Sequence, residues 1–413
     1  MREIRTSGLM RGKSHRRSRG VGLYSTTLDD SSVKRCFTKI VKILLVNSVC
    51  GVRSTGRICA KIAEEHEARG WEVRIGYGRL AYVPESCRKW AVRIGDTLSV
   101  RMHVVLTRLF DWHADRICSW WSTRRFLKWA ETWKPDVLWL HNLHGYYINY
   151  ELLFKWIKKH PEMDVKWTLH DCWAYTGHCA YFTYSGCEKW EKGCLHCLCK
   201  RDYPRSALLS SAKSNWMRKR TAFCGVKKMT LITPSKWLAD LTRQSFLKEY
   251  PVQVVPNTID TATFKPTPSE FRVRRGLAGK TIVLGVASAW DKRKGLDDFL
   301  RLRTLLSAHY VLVLVGLTMQ QIASLPKGVM GIACTNSKKE LAELYSAADW
   351  FFNPTREDNY PTVNLEAVAC GCRVVTYDTG GSAETVEGVS SAIVLRGTDK
   401  SPEGFVRAIG SVE

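Results

Sequence analysis

No run of apolar residues in this chain is long enough to cross a bilayer, which takes about 20 residues. No apolar stretch follows the basic N-terminal residues, so the start does not read as a secretory signal. No short-period internal repeat is present. Acidic residues are scarce: 39 Asp and Glu stand against 63 Lys and Arg, a formal net charge of +24. A surface of that sign attracts anions such as nucleotide diphosphates, acidic lipid headgroups or nucleic acid. What is present, 45% hydrophobic and 25% charged residues over 413 positions, is the composition of a globular protein with room for two separate cores.

Part of the basic excess is local. Residues 1–42 hold eleven Lys and Arg against three Asp and Glu, and the run Arg11-Gly12-Lys13-Ser14-His15-Arg16-Arg17 shows no periodicity. Residues 1–41 therefore read as a basic, disordered extension. The fold is expected to begin at Lys42-Ile43-Leu44-Leu45-Val46. From there apolar runs alternate with helical stretches. Ile43–Val46, Val73–Tyr77, Val137–Leu140, Val165–Leu169, Leu231–Pro234 and Val252–Val255 form a first series of strands. Thr281–Ala287, Tyr310–Val315, Val329–Ala333, Trp350–Asn353 and Arg373–Tyr377 form a second. Such alternation implies parallel sheets covered by helices on both faces. Pro256-Asn257-Thr258-Ile259-Asp260 and Phe264-Lys265-Pro266 separate the series as a linker. The fold class is thus α/β: two Rossmann-like, doubly wound domains facing a central cleft. Their expected bounds are 42–256 and 257–395, with a short C-terminal tail or helix at 396–413. Ligands would sit at the carboxyl ends of the strands.

Three loops carry chemistry. Asp358 lies eight residues before Glu366, which opens a small-residue helix ending at Gly371, and the strand Arg373–Tyr377 follows. Carboxylates at such a corner accept hydrogen bonds from sugar or ribose hydroxyls. Trp290-Asp291-Lys292-Arg293-Lys294-Gly295 follows the first strand of the second series and offers cations to a phosphate. Asn47 to Arg57 joins the first strand to a helix; Gly51 and Gly56 permit close backbone approach, and Ser54 or Thr55 can cap the helix. It is not a P-loop, because no Gly-Lys-Ser/Thr ends it. Histidines stand at two strand ends, in Leu140-His141-Asn142-Leu143-His144 and Leu169-His170-Asp171.

Six of the fifteen cysteines crowd between Cys172 and Cys199. Cys194-x2-Cys197 has zinc-knuckle spacing, and Cys172, Cys179, Cys187 or His178 could complete a structural zinc site. The stretch is rich in Gly and aromatics but poor in aliphatics, so it needs a staple or reduced thiols in a packed core.

The segment from Leu344 through Asp358 and Glu366 to Gly380-Gly381 resembles the retaining family-4 glycosyltransferases, which carry a Glu-x7-Glu motif before an Ala-rich helix. His170-Asp171-Cys172-Trp173-Ala174, Gly177-His178-Cys179 and Gly193-Cys194 to Cys197 resemble a subgroup of that family from bacterial capsule and exopolysaccharide biosynthesis. The resemblance implies the GT-B fold and transfer of a sugar from a UDP- or GDP-sugar to a saccharide acceptor, lipid-linked in that subgroup. By the same resemblance Glu366 would hold the donor ribose and Asp358, or Glu357 in its place, the donor sugar. Lys294 would neutralise the diphosphate, the loop with Gly51, Thr55 and Gly56 would face phosphate and acceptor, and His170 would stand beside the reacting sugar. Where the family often has an Arg, five residues before Lys294, this chain has Ala289, and Arg293 beside Lys294 is the residue that would supply the missing charge. No cofactor is expected for the chemistry. Nucleic acid is not an expected partner. The expected location is cytoplasmic, with peripheral attachment to an anionic inner-membrane face through residues 101–133, where Leu106, Leu109, Phe110, Ile117, Trp120 and Trp121 recur among Arg and Lys. Two other readings stay open at this point: a basic zinc-containing nucleic-acid-binding protein, and a nucleotide-sugar epimerase of the same architecture.

Overall fold

The structure, a computed structural model, describes residues 39–411 except 81, 114–117, 196 and 202–203. The basic run at residues 11–17 and Ile117 lie outside the described residues.

The first sheet contains β1 (Lys42–Val46), β2 (Glu72–Tyr77), β3 (Ala91–Arg93), β4 (Val137–Leu140), β5 (Asp164–Thr168), β6 (Met229–Thr233) and β7 (Val252–Val254). The second contains β8 (Thr281–Val286), β9 (Tyr310–Val315), β10 (Val329–Ile332), β11 (Trp350–Asn353), β12 (Arg373–Tyr377) and β13 (Ala392–Leu395). Every pairing is parallel, as between Ile43 and Val137 or Val283 and Trp350. Strands such as Leu44-Leu45-Val46 and Phe351-Phe352 are buried on both faces, which is why they read as continuous apolar runs without alternation. The edge strands β3 and β13 were absent from the expected strand series; three or four half-exposed residues give a weak periodic signal.

Helices cover both faces of each sheet: α1 (Arg53–Glu67), α2 (Thr97–Phe110), α3 (Cys118–Trp133), α4 (Tyr150–Ile157), α5 (Ala212–Phe223) and α6 (Lys236–Gln244) in the first lobe. The second lobe has α7 (Phe271–Arg274), α8 (Leu296–Leu305), α9 (Met319–Ala323), α10 (Lys338–Ala347), α11 (Thr362–Ala369) and α12 (Pro402–Gly410). Side chains from the preceding loop fix several starts: Asp96 accepts from Ser99 N–H at 2.7 Å, and Ser235 from Leu238 N–H at 3.1 Å. Phe405 and Ile409 of α12 are buried in the second lobe's core with Phe299 and Leu302 of α8.

Strand order places the ligand region. The first sheet runs β3-β2-β1-β4-β5-β6-β7 and the second β10-β9-β8-β11-β12-β13. Winding reverses between β1 and β4 and again between β8 and β11. Loops leaving the carboxyl ends of two such strands diverge and leave a crevice between them. Each loop singled out in the sequence leaves one of these four strands, or the neighbouring β5.

Candidate active site

In the second lobe two strand-to-helix corners meet. After β8, Lys292–Lys294 form a single 3₁₀ turn capped by Asp291, whose carboxylate accepts from Lys294 N–H at 2.9 Å. Gly295 then turns into α8 at φ +78, with its Cα so close to Pro354 that an added Cβ would stand 2.5 Å from the Pro354 carbonyl. A side chain there would push the two corners apart. The Lys294 ammonium donates to the Asp358 carboxylate. Arg293 donates to the Glu357 carbonyl at 3.0 Å, and Arg356 N–H to the Arg293 carbonyl at 2.8 Å. Gly380, at φ +59, lies against Asp358: a Cβ would meet the Asp358 carbonyl at 1.9 Å. The Lys294, Asp358 and Gly380 loops thus form one surface.

Glu366 does not open its helix as expected: α11 begins at Thr362, directly after Pro361, and Glu366 stands half-buried in its middle, accepting from the Tyr345 hydroxyl at 3.1 Å. Burial pushes its carboxyl up to about 7, against the opposing pull of Tyr345, Thr362 and the charges of Arg57 and Lys338. Arg57 belongs to α1 of the other lobe, so its charge reaches Glu366 across the lobes. Such a group gains from any hydroxyl or amide donor a ligand brings.

In the first lobe, the loop after β1 keeps Gly51 at φ +69, with its N–H donating to the Gly56 carbonyl at 3.2 Å. The expected capping by Ser54 or Thr55 does not occur. Val52 is the cap residue with no side-chain bond, and Arg53, the first residue of the helix, has φ +57. Thr55 instead accepts from the Asn47 amide at 3.3 Å. The first turn of α1 is therefore uncapped by any side chain, an arrangement suited to an anion.

His141 ends β4 and His170 follows β5. Their rings stack 5.4 Å apart, with Nδ1 of His141 3.2 Å from Nε2 of His170. Burial carries His170 down to about 4, against the pull of Asp171; burial and His170 carry His141 well below the usual histidine range. Both are neutral near pH 7 and act as hydrogen bonders. Asp171 is 2.7 Å from Nε2 of His144 and accepts from Trp173 N–H at 2.9 Å. Burial alone would raise its carboxyl, but His144 and the Trp173 N–H outweigh it and hold it low.

The two halves touch around this point. The Asn359 amide donates to the His170 carbonyl at 3.0 Å and accepts from the Ser235 hydroxyl at 2.6 Å. Glu357 accepts from Tyr184 N–H at 2.7 Å and from Thr183 at 3.3 Å. Glu384 accepts from the Lys236 and Trp237 N–H groups at the start of α6, at 2.6 and 2.8 Å. Of the two candidate acids, Asp358 meets Lys294 and Glu357 holds the Cys-rich segment. Spacing did not single out Asn359, Glu384 or Tyr181, whose ring lies 5.6 Å from the Arg293 guanidinium. Asn359 is the one with a signal, since it sits inside the motif loop.

The expected zinc ligands come near one another without closing into a metal-sized group: Cys179 lies close to Cys194, Cys197 and Cys199, and Cys194 to Cys187. Among the described residues no three of Cys172, Cys179, Cys187, Cys194 and Cys197 bring their sulfurs within 4.8 Å of one another. Cys172 is fully buried beside Tyr175 and Asp171, at the strand end, and Cys194 accepts from Gly177 N–H at 3.1 Å. The trio that does converge is Asp111, His113 and His178. Asp111 is 2.7 Å from Nδ1 of His178 and 3.0 Å from Nε2 of His113. The Trp173 indole donates to Nδ1 of His113 at 3.2 Å, which leaves the neutral ring's proton on Nε2, where a metal would need a lone pair. The residues fit a buried hydrogen-bond network better than a metal. Lys219 completes it, donating to the Trp173 and Thr176 carbonyls at 2.8 and 3.0 Å, 3.5 Å above the Trp173 ring.

Comparison with known proteins agrees with this architecture. The profile described as Glycosyltransferase Family 4 matches residues 55–263, and that of Glycosyl transferases group 1 matches residues 280–412. A colanic acid biosynthesis glycosyl transferase of Escherichia coli, WcaC, is 27% identical over 268 residues, 61% of this chain and 62% of that protein. The match thus spans less than two thirds of that relative. Sucrose-phosphate synthase of Thermosynechococcus elongatus superposes with a TM-score of 0.62 at 14% identity, covering 90% of this chain and 89% of that one. HepE of Anabaena, solved in complex with UDP and glucose, gives 0.57 at 15% identity with coverage of 90% and 89%. Its fold is that of these two-domain GT-B enzymes, and the chain belongs to glycosyltransferase family 4.

Proposed function

We propose that this glycosyltransferase moves a sugar from a UDP- or GDP-sugar to a saccharide acceptor, lipid-linked, in the building of a cell-surface polysaccharide, with retention at the transferred carbon. The observation that carries this reading is the meeting of Lys294, Arg293 and Asp358 at the β8/β11 reversal, with His170 tied to the same loop through Asn359. In this reading residues 42–256 receive the acceptor and residues 257–395 hold the donor. Glu366 accepts from the ribose hydroxyls, and Asp358 orients the donor sugar. Lys294 and Arg293 take up the charge that grows on the departing diphosphate, which they stabilise more in the transition state than in the ground state. The open turn of α1 behind Gly51, Thr55 and Gly56 adds N–H donors. Neutral His170 bonds a sugar hydroxyl; it need not be a base, because on one face the leaving phosphate itself can take the acceptor's proton. The fixed cations supply the charge that a divalent ion supplies elsewhere.

An anionic membrane surface is the second partner in this reading, on a stripe that differs in part from the expected one, of which Trp121 is exposed. Leu106, Leu109 and Phe110 are half-buried, whereas Leu98, Met102 and Val105 form an exposed row along α2. Leu208 and Leu209, also exposed, extend it, since Ala207 N–H donates to the Arg108 carbonyl. Arg101 and Arg108 flank the row, which suits acidic headgroups. No helix among the described residues is long and apolar enough to cross a membrane.

The test is a panel of UDP- and GDP-sugars offered with lipid-linked oligosaccharide acceptors. The expected result is acceptor-dependent release of nucleoside diphosphate, abolished in Glu366→Ala, and a product whose anomeric coupling by NMR matches the donor. Inverted product, or release that ignores Glu366, would overturn the reading. Isomerised nucleotide sugar without release would point to an epimerase.

A further inference from the structure

Tyr181 belongs to no recognised motif, yet the Cys-rich segment delivers it to the cleft. Its chain neighbours are fixed elsewhere. Ala180 and Phe182 are buried. The Ala180 carbonyl accepts from Cys172 N–H at 2.8 Å and the Phe182 carbonyl from Cys187 N–H at 3.2 Å. Phe182 packs on Trp190 with ring centroids 5.1 Å apart. Three residues beyond Tyr181, the Tyr184 N–H is held by Glu357 of the other lobe. A chain pinned on both sides leaves Tyr181 little choice of direction, and its ring lies 5.6 Å from the Arg293 guanidinium. Such a pair gains from the ring's negative face.

The phenol is held well above its usual range by burial, then by the carboxylates of Asp358 and Asp171. It therefore stays a neutral donor at any physiological pH. Among the described residues no hydrogen bond reaches that hydroxyl. Its two acidic neighbours lie on opposite lobes: Asp358 in the donor corner and Asp171 beside His144. A donor without a partner, set between the lobes where the cations await a diphosphate, is placed to meet the group attached to that diphosphate.

We infer that Tyr181 binds the transferred sugar, its hydroxyl donating to a sugar oxygen while its ring holds Arg293 toward the diphosphate. This rests on the donor placement proposed above. The Cys-rich segment then serves donor recognition, because Glu357 fastens it to the donor lobe so that Tyr181 reads the sugar.

The experiment separates sugar from nucleotide. The nucleotide sugar that the wild type turns over and the matching UDP or GDP alone are titrated calorimetrically into wild type, Tyr181→Phe, Tyr181→Ala and Lys294→Ala. Tyr181→Phe keeps the ring, so folding and the Arg293 contact are retained. It is expected to lose about tenfold in affinity and kcat/KM for the nucleotide sugar, the worth of one hydrogen bond, while UDP or GDP binds as in wild type. Tyr181→Ala is expected to weaken UDP or GDP as well, by releasing Arg293. If Tyr181→Phe handles the nucleotide sugar like wild type while Lys294→Ala loses the nucleotide, this inference fails and the donor placement stands. If Lys294→Ala also binds UDP or GDP normally, the donor placement itself fails.

Discussion

The two walls of the cleft are built on different plans. The donor-side wall consists of two tight corners, after β8 and β11, held by backbone bonds such as Arg356 N–H to the Arg293 carbonyl and Gly381 N–H to the Asp358 carbonyl. The facing wall is a long detour from Leu169 to Ser211 that closes short backbone turns of its own, such as Cys172 N–H to the Ala180 carbonyl, but is tied to the helices behind it by side chains. Lys219 bonds two of its carbonyls, Trp216 a third at 2.8 Å, and Asp111 the Ser211 N–H at 2.8 Å. Tyr175, Phe182 and Trp190 pack together where aliphatics are lacking. Backbone corners tolerate changes in the side chains they display. A side-chain-held wall loses its shape when one buried anchor goes. In the function proposed above, the first wall takes the diphosphate and the second the choice of sugar and acceptor.

If that contrast is right, a change on the donor wall lowers turnover without loosening the fold. Lys294→Ala is expected to reduce turnover roughly 10²–10³-fold, because it removes charge aimed at the leaving group, with the urea midpoint of unfolding left near wild type. A large midpoint shift would break the comparison.

A change on the facing wall is expected to do the reverse. Lys219→Met leaves two buried carbonyls without a donor and should cost roughly 3 kcal/mol of stability, read from the urea midpoint. Turnover should fall only as far as the folded fraction falls and Tyr181 is displaced. A fully stable variant would show that the detour does not depend on its buried anchor.

Glu366 sharpens the donor side through pH. Its carboxyl sits at about 7, and ribose hydroxyls need the ionised form as acceptor. Lowering the pH protonates it, so affinity for UDP or GDP should fall about tenfold between roughly pH 8 and pH 6. Glu366→Gln should flatten that dependence. The same shift has a stability sign: the folded carboxyl binds its proton more tightly than the unfolded one, so its contribution is present at low pH and lost as pH rises through about 7.

The smallest effect in solution is expected from the α2 row. Leu98→Ser, Met102→Ser and Val105→Ser together should leave turnover of a soluble acceptor unchanged while reducing flotation with vesicles of acidic phospholipid at low salt. Unchanged flotation would remove the row as a docking surface.

The same contrast decides how much could be read from the sequence. The corners were legible because local rules make them: continuous apolar runs for buried parallel strands, glycines where backbones touch, a Lys before a Gly, paired acids at fixed spacing. Strand ends fell within one or two residues of the expected positions, except for the short edges β3 and β13. The facing wall was legible only as a density of Cys, Gly and aromatics, and its spacing pointed to zinc. Nothing local reveals that Asp111 and Lys219, far along the chain, close the network around Trp173, or that Tyr181 faces Arg293. Thr55 shows the limit at the smallest scale: the helix begins two residues before it, at Arg53, so an expected cap residue lies in the first turn.

The most direct test is a crystal structure of this protein with UDP or GDP bound. The ribose hydroxyls are expected within hydrogen-bond distance of the Glu366 carboxylate, with the diphosphate at Lys294, Arg293 and the first turn of α1. A nucleotide bound away from the β8/β11 reversal, or bound there with Glu366 turned from the ribose, would contradict the account.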